Sequence, residues 1–194
     1  MKIGLYFGSF NPVHVGHMII ANYMVNTTDL DAIWMVVTPH NPHKNKKTLA
    51  KDFDRLHLVN LACEGTSKIR ASQIEFNLPK PSYTIDTMTY LGEKYPDHNF
   101  SLIMGGDNLL TLHKWKNYEL LLEKYPIYVY QRSSYEVPDL VNHYNITLCD
   151  APLLEISSSY IRKLIKNKKS IRYLVPDKVF DYLENNPIYE RLVQ

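Results

Sequence analysis

The sequence predicts an α/β fold: a parallel, doubly wound sheet with helices on both faces. Three observations predict it. Short apolar runs of strand length, Ile3 to Phe7, Ala32 to Val37 and Phe100 to Met104, are each closed by small or turn-forming residues. Helix-length segments separate such runs, and a helix between two buried strands makes a βαβ unit, which forces parallel pairing with a right-handed crossover. The loops leaving the strands carry glycine, histidine, lysine and hydroxyl residues, and ligands bind at the carboxyl edge of such a sheet.

The first strand is broken at once by Gly8, Ser9, Asn11 and Pro12. Gly16 and His17 then lead into Met18 to Val25, an apolar segment long enough for a buried helix. A helix N-terminus offers backbone N–H groups and a positive dipole end, which favour bound phosphate. His14 and His17 sit at this turn, where imidazoles hydrogen-bond phosphate oxygens or, when protonated, stabilise their charge. The spacing G-x-F-x-P-x-H-x-G-H, filled by Gly8, Phe10, Pro12, His14, Gly16 and His17, is far more specific than any one of its residues. A tight turn with helix-capping histidines is one competing reading. Zinc is another, because His40 and His43 repeat the HxxH spacing of His14 and His17, although the four lack the Cys or carboxylate company usual in zinc sites.

Ala32 to Val37 is the second strand, and past Thr38-Pro39 comes the run His40-Asn41-Pro42-His43-Lys44. Lys44 is expected to meet an anionic ligand because it lies just beyond a strand end, whereas Lys46 and Lys47 read as solvated. Asp52 to Gly65 predicts a helix, Ile69 to Phe76 a strand, Leu78 to Tyr83 a proline-broken turn, and Thr84 to Tyr95 a helix that Ser82 or Thr84 would cap. The strand Phe100 to Met104 runs into Gly105-Gly106-Asp107-Asn108. Glycine there lets backbone approach a ligand closely, and Asp107 either accepts hydrogen bonds from a ribose or an adenine or caps a helix starting at Leu109. Trp115 has charged and polar neighbours and is expected partly exposed at the ligand edge, against the more usual fate of core packing.

Pro126 to Gln131 and Ile146 to Cys149 complete the strands. Ser157, Ser158 and Ser159 then open a helix with Arg162 one turn in, a second anion site, although serine is also the ordinary N-cap. A last helix, Val175 to Glu184, begins around Pro176. No repeat or second boundary divides residues 1–194, so a single domain is expected, with residues 157–186 as its C-terminal helical part. A formal net charge of +2 gives no global reason to expect a nucleic-acid partner. The N-terminal strand lacks a signal-peptide core, no apolar run approaches membrane-spanning length, and Cys63 and Cys149 read as buried free thiols. A cytoplasmic protein without membrane contact is expected; the sequence leaves monomer or homo-oligomer undecided.

On these residues the chain resembles the nucleotidyltransferase superfamily. GSFNPVHVGH, residues 8–17, and ISSSYIR, residues 156–162, look like its paired (T/H)xGH and ISSTxIR signatures. Within it, the NPHK loop, PSYTIDTM, IMGGDNL and the following Trp115 are similar to the bacterial nicotinate-nucleotide adenylyltransferases. Ser9 and Asn11 stand where that family often has Thr and Asp, and Ser159 stands where it has Thr. The serines keep the hydroxyl, whereas Asn11 removes a charge.

The resemblance implies a Rossmann-like fold and adenylyl transfer from ATP to nicotinate mononucleotide, with Mg²⁺ arriving on ATP. It assigns His14, His17 and Arg162 to catalysis. It puts Gly8, Ser9, Phe10, His14, His17, Gly105, Asp107, Ile156, Ser157, Ser158 and Arg162 on the ATP side. Asn11, Lys44, Thr84, Trp115 and Arg132 fall on the pyridine-nucleotide side, and no protein metal ligand is implied. Another acceptor on the same fold, such as nicotinamide mononucleotide or phosphopantetheine, and a non-catalytic nucleotide-binding regulator are the alternatives.

Overall fold

The computed structural model describes residues 1–39, 48–130, 139–152, 154–190 and 192. Its strands are β1 (Lys2–Gly8), β2 (Ala32–Val37), β3 (Ile69–Ser72), β4 (Asn99–Gly105), β5 (Ile127–Tyr130) and β6 (Ile146–Cys149). They form one sheet in the order β3-β2-β1-β4-β5-β6, and every neighbouring pair is parallel. The order reverses between β1 and β4, so the carboxyl ends of those two strands flank the crevice where such sheets take ligands. β2 is buried along its whole length, which is why AIWMVV is a continuous apolar run rather than an alternating one.

Among the described residues the helices are α1 (Val15–Thr27), α2 (Asp52–Cys63), α3 (Thr84–Lys94), α4 (Gly106–Thr111), α5 (Tyr118–Lys124), α6 (Ser158–Lys166) and α7 (Asp177–Asn185). Two apolar layers hold them on the sheet. Ile20 and Met24 of α1, Leu58 and Val59 of α2, Ile161 of α6 and Phe180 of α7 share one layer. Met88 of α3, Leu109 of α4 and Leu121 of α5 share the other with Leu5 and Leu102 from the sheet. The doubly wound architecture is therefore as the sequence predicts.

Local differences have physical causes. β3 stops at Ser72 instead of reaching Phe76, because the chain tightens into a 3₁₀ turn over Ile74–Asn77. Phe76 N donates to Gln73 O at 2.9 Å, and the turn carries Glu75 into the interior, where Thr87 Oγ1 donates to it at 2.9 Å. α3 is capped by neither Ser82 nor Thr84: Tyr83 holds the N-cap position without a side-chain bond. Burial raises the Glu75 pKa, and the hydrogen bond from Thr87 opposes that shift. α4 begins at Gly106, not Leu109, so Asp107 lies inside its first turn rather than capping it, where the dipole favours a negative charge.

Candidate active site

The carboxyl ends of β1 and β5 and the openings of α1 and α6 enclose a cavity of about 530 Å³. That is within the range of roughly 300–1,000 Å³ typical of small-molecule sites. Gly8, Ser9, Phe10, Asn11, His14 and His17 from the first loop line it, together with Ile156, Ser157, Ser158 and Arg162 from the last. His17 and Arg162 thus share one cleft.

The loop after β1 is shaped by Phe10. Its backbone is left-handed, φ +43°, a conformation that costs an L-residue about 1–2 kcal/mol. The ring offsets this by full burial, at 1 % exposure, with edge contacts to Tyr6 at 5.8 Å and His17 at 5.0 Å between centroids. It lies over Gly8 so closely that a β-carbon there would stand 2.7 Å from Cζ. Gly8 is glycine because an aromatic ring occupies the space of its side chain.

The opening of α1 is less open to anions than a bare helix end. Val15 N donates to Leu174 O at 3.0 Å and His17 N to His14 O at 3.0 Å. His14 N donates to His17 Nδ1 at 3.2 Å. These main-chain donors are thus already committed within the protein. The last bond also assigns the tautomer: with Nδ1 accepting, a neutral His17 carries its proton on Nε2, the donor form a phosphate oxygen needs. The His14 and His17 rings stack with centroids 3.6 Å apart.

The serines divide their work. Ser157 caps α6, accepting from Tyr160 N at 3.2 Å. Ser158 Oγ donates to Pro12 O at 2.8 Å and ties α6 to the first loop. Arg162 Nη1 donates to Asn11 O at 2.7 Å and Nη2 to Ser159 Oγ at 3.1 Å. Burial lowers the Arg162 pKa, but a guanidinium stays charged and delivers that charge to the cavity wall. The Asn11 side chain is committed to the backbone. Its Nδ2 donates to Thr48 O at 2.8 Å, and its Oδ1 accepts from Ala50 N at 3.1 Å. These two bonds hold the first loop to the stretch before α2, and an ionised carboxylate at this position could not make the donation to Thr48.

Other expected residues lie off this cavity. Gly105 is the N-cap of α4, and a side chain there would press on Asp107 and come within 3.2 Å of the Tyr130 ring, which does line the cavity. Asp107 is exposed. Trp115 is half-buried and packs against the α3–α5 layer. Its neighbour Lys116 bonds Asp86 at 2.8 Å and sits 4.9 Å from the Tyr83 ring centroid, so Trp115 and Thr84 belong to adjoining segments. Lys44 and Arg132 lie outside the described residues, as do His40, His43, Lys46 and Lys47. Among the described residues no group of three or more His, Cys, Asp or Glu could hold a metal ion. No described helix is long and apolar enough to cross a membrane. Cys63 and Cys149 are free and buried, and burial pushes the Cys63 thiol up to about 12.

Sequence reasoning missed Tyr6, Thr48 and Tyr130 in the cavity wall, and Arg55 beneath it. Arg55 had one visible signal: it occupies the inward face of α2 with Leu58, Val59 and Cys63, where an arginine is out of place.

A parallel sheet with a nucleotide-sized cleft between two helix openings, walled by histidine, serine and arginine, has the architecture of a nucleotidyltransferase of Rossmann-like fold. The chain belongs to the cytidylyltransferase-like family, whose model matches residues 5–164, and within it to the nicotinate-nucleotide adenylyltransferases. It is 58 % identical over 193 residues to a protein of Flavobacterium johnsoniae named "Probable nicotinate-nucleotide adenylyltransferase", covering 98 % of this chain and 100 % of that one. A protein of Flavobacterium psychrophilum with the same name is 55 % identical over 193 residues, with the same coverage. The fold is similar to that of a Plasmodium falciparum nicotinic acid mononucleotide adenylyltransferase solved in complex with NaAD. The TM-score is 0.81, at 20 % identity over 97 % of both chains.

Proposed function

We propose that the chain, acting as a single cytoplasmic domain, transfers the adenylyl group of ATP to nicotinate mononucleotide, giving nicotinate adenine dinucleotide and pyrophosphate, a step of NAD biosynthesis. The phosphate oxygen of the mononucleotide attacks the α-phosphorus of ATP in line. The bond from that phosphorus to the bridging oxygen breaks, and pyrophosphate leaves. The attacking phosphate is already ionised at neutral pH, so no side-chain nucleophile or strong base is required. Catalysis is then positioning, worth up to about 7–11 kcal/mol in favourable cases, together with stabilisation of charge on the leaving phosphates.

His17, His14 and Arg162 supply that charge stabilisation, aided by the opening of α6 at Ser158. Ser9, Phe10, Gly105, Asp107 and Ile156 take the remainder of ATP. Thr84 and Trp115 take the pyridine side, Trp115 stacking on the ring. The described cavity wall carries hydroxyl, imidazole and guanidinium groups, a set that fits the phosphates of ATP arriving with Mg²⁺. Bound with ATP, the ion would neutralise phosphate charge.

The observation that carries this reading is the meeting of His17 and Arg162, from two distant helix openings, at one cavity. Pyrophosphate release with ATP and each mononucleotide tests it. Release is expected with the acid and much less with the amide, because donors arranged for a carboxylate are left unpaired by an NH₂ group at about 1–3 kcal/mol each. Equal rates with both mononucleotides would refute the acid preference. ATP binding without release from any acceptor would make the chain a regulator.

A further inference from the structure

Arg55 is fully buried, at 0 % exposure, and all five of its N–H donors are used. Nε donates to Ala50 O at 3.0 Å, Nη1 to Ser9 O at 2.6 Å and Thr38 O at 2.9 Å, and Nη2 to Pro39 O at 3.3 Å and Asp52 Oδ1 at 2.7 Å. Four of the five acceptors are main-chain carbonyls, drawn from the loop after β1, the exit of β2 and the stretch before α2. A buried guanidinium is costly to desolvate, and an apolar residue would pack α2 at lower cost. What the arginine adds is control of backbone position at the mouth of the site.

The bonds around it close a ring. Thr38 N donates to Gly8 O at 2.9 Å, so the exit of β2 is fastened to β1 at the glycine before Ser9. Ala50 is held at its carbonyl by Arg55 and at its N–H by Asn11. The left-handed Phe10 lies between Ser9, whose carbonyl is held by Arg55, and Asn11, whose carbonyl is held by Arg162. Phe10 in turn meets the His17 ring edge-on at 5.0 Å.

We infer that Arg55 is a positioning residue for phosphate chemistry: by gripping the Ser9 carbonyl on one flank of Phe10, opposite Arg162 on the other, it fixes the left-handed turn whose ring seats His17. Lysine cannot replace it, because three donors on a single nitrogen cannot span four carbonyls and a carboxylate. The inference rests on the adenylyltransferase reading of the site.

The experiment is a kinetic cycle on pyrophosphate release with ATP and nicotinate mononucleotide. It uses the full chain, wild type, Arg55→Lys, Asp52→Asn, His17→Ala and His17→Ala/Arg55→Lys, each assayed well below its own melting temperature. If Arg55 acts through His17, Arg55→Lys lowers kcat about 100-fold, the usual cost of a misplacement of about 1 Å. KM for ATP then stays within about threefold, since the loss is in the transition state. The double variant is then no more than about threefold worse than His17→Ala alone, because the position being set no longer matters. Losses that multiply in the double variant, or a folded Arg55→Lys with wild-type kcat and only a lower melting temperature, overturn the inference. Should Arg55→Lys not fold, Asp52→Asn carries the same cycle with a loss of about 5–10-fold, since it leaves the guanidinium but removes the negative charge from its carboxylate acceptor. A wild-type chain that releases no pyrophosphate with any mononucleotide defeats the functional reading instead.

Discussion

Replacing Gly8 by alanine tests the link between loop packing and chemistry most directly. The added methyl would stand 2.7 Å from Phe10 Cζ and 2.8 Å from Cε1. Ordinary carbon contact is about 3.5–4.0 Å, so the ring must retreat by roughly 1 Å. It has little room, being buried against Tyr6 and His17. Overpacking of this kind costs about 1–3 kcal/mol. For a chain of this size each kcal/mol lowers the melting temperature by about 2–4 °C, giving an expected fall of roughly 2–12 °C. The functional effect is larger. A ring displaced by about 1 Å moves His17 with it, and such a shift costs about 100-fold in kcat. Pyrophosphate release at saturating ATP and mononucleotide reads kcat, and thermal unfolding followed by circular dichroism reads stability. A companion variant, Gly8→Ala with Phe10→Leu, relieves the clash and recovers melting temperature but not rate. If Gly8→Ala melts early yet turns over at the wild-type rate, the Phe10 ring does not seat His17 and the reasoning fails.

Further expectations concern the elements around this loop. Ser158→Ala removes the bond to Pro12 O and leaves that carbonyl without its donor, so melting should drop by about 2–4 °C for a loss of about 1 kcal/mol. kcat/KM for ATP should fall too, and an unchanged value would show that α6 needs no such tie. Ser157→Ala removes the N-cap of α6 at about 1 kcal/mol, readable by the same melting experiment and by the kcat/KM for ATP. Glu75→Gln addresses pH. Burial raises the folded-state pKa of Glu75 above its unfolded value, so its contribution is fully present below the ordinary carboxylate range and is lost as pH rises through the raised value. The wild type should therefore lose stability relative to Glu75→Gln as pH climbs from about 4.3 towards neutrality; parallel melting curves across that range would contradict the assignment.

The sheet and the two helix openings were legible in the sequence because both leave patterns in residue type. Buried parallel strands read as apolar runs, and β1, β2, β4 and β5 fall where those runs lie, while the edge strand β6 buries only Cys149 fully. His14, His17, Ser157 and Arg162 stand out in the sequence because their side-chain types and spacing are distinctive, and all four line the cavity. Main-chain acceptors leave no such trace. Nothing in Ser9, Thr38, Pro39 or Ala50 announces that each carbonyl is held by Arg55, and nothing in Asn11 names Thr48 as its partner. Tyr6 and Tyr130 read as strand residues, and only the sheet brings their hydroxyls to 3.4 Å. The end of β3 was misplaced for a related reason: Ile69 to Phe76 keeps an alternating look while Glu75 is drawn inward by Thr87, a residue twelve positions later.

The fastening of the first loop by distant segments sets an order of events during synthesis. Ser158 reaches Pro12 across 146 positions and Arg162 reaches Asn11 across 151, while Leu174 anchors the start of α1. At about 5–20 residues per second, the ribosome makes the glycine–histidine segment wait roughly 8–30 s for its fasteners to be translated. The nascent polypeptide can build β1 and β2 early, yet the cavity wall is complete only when α6 docks against the first loop. A fragment released midway would carry both histidines but lack the part of the wall that Ser158 and Arg162 supply.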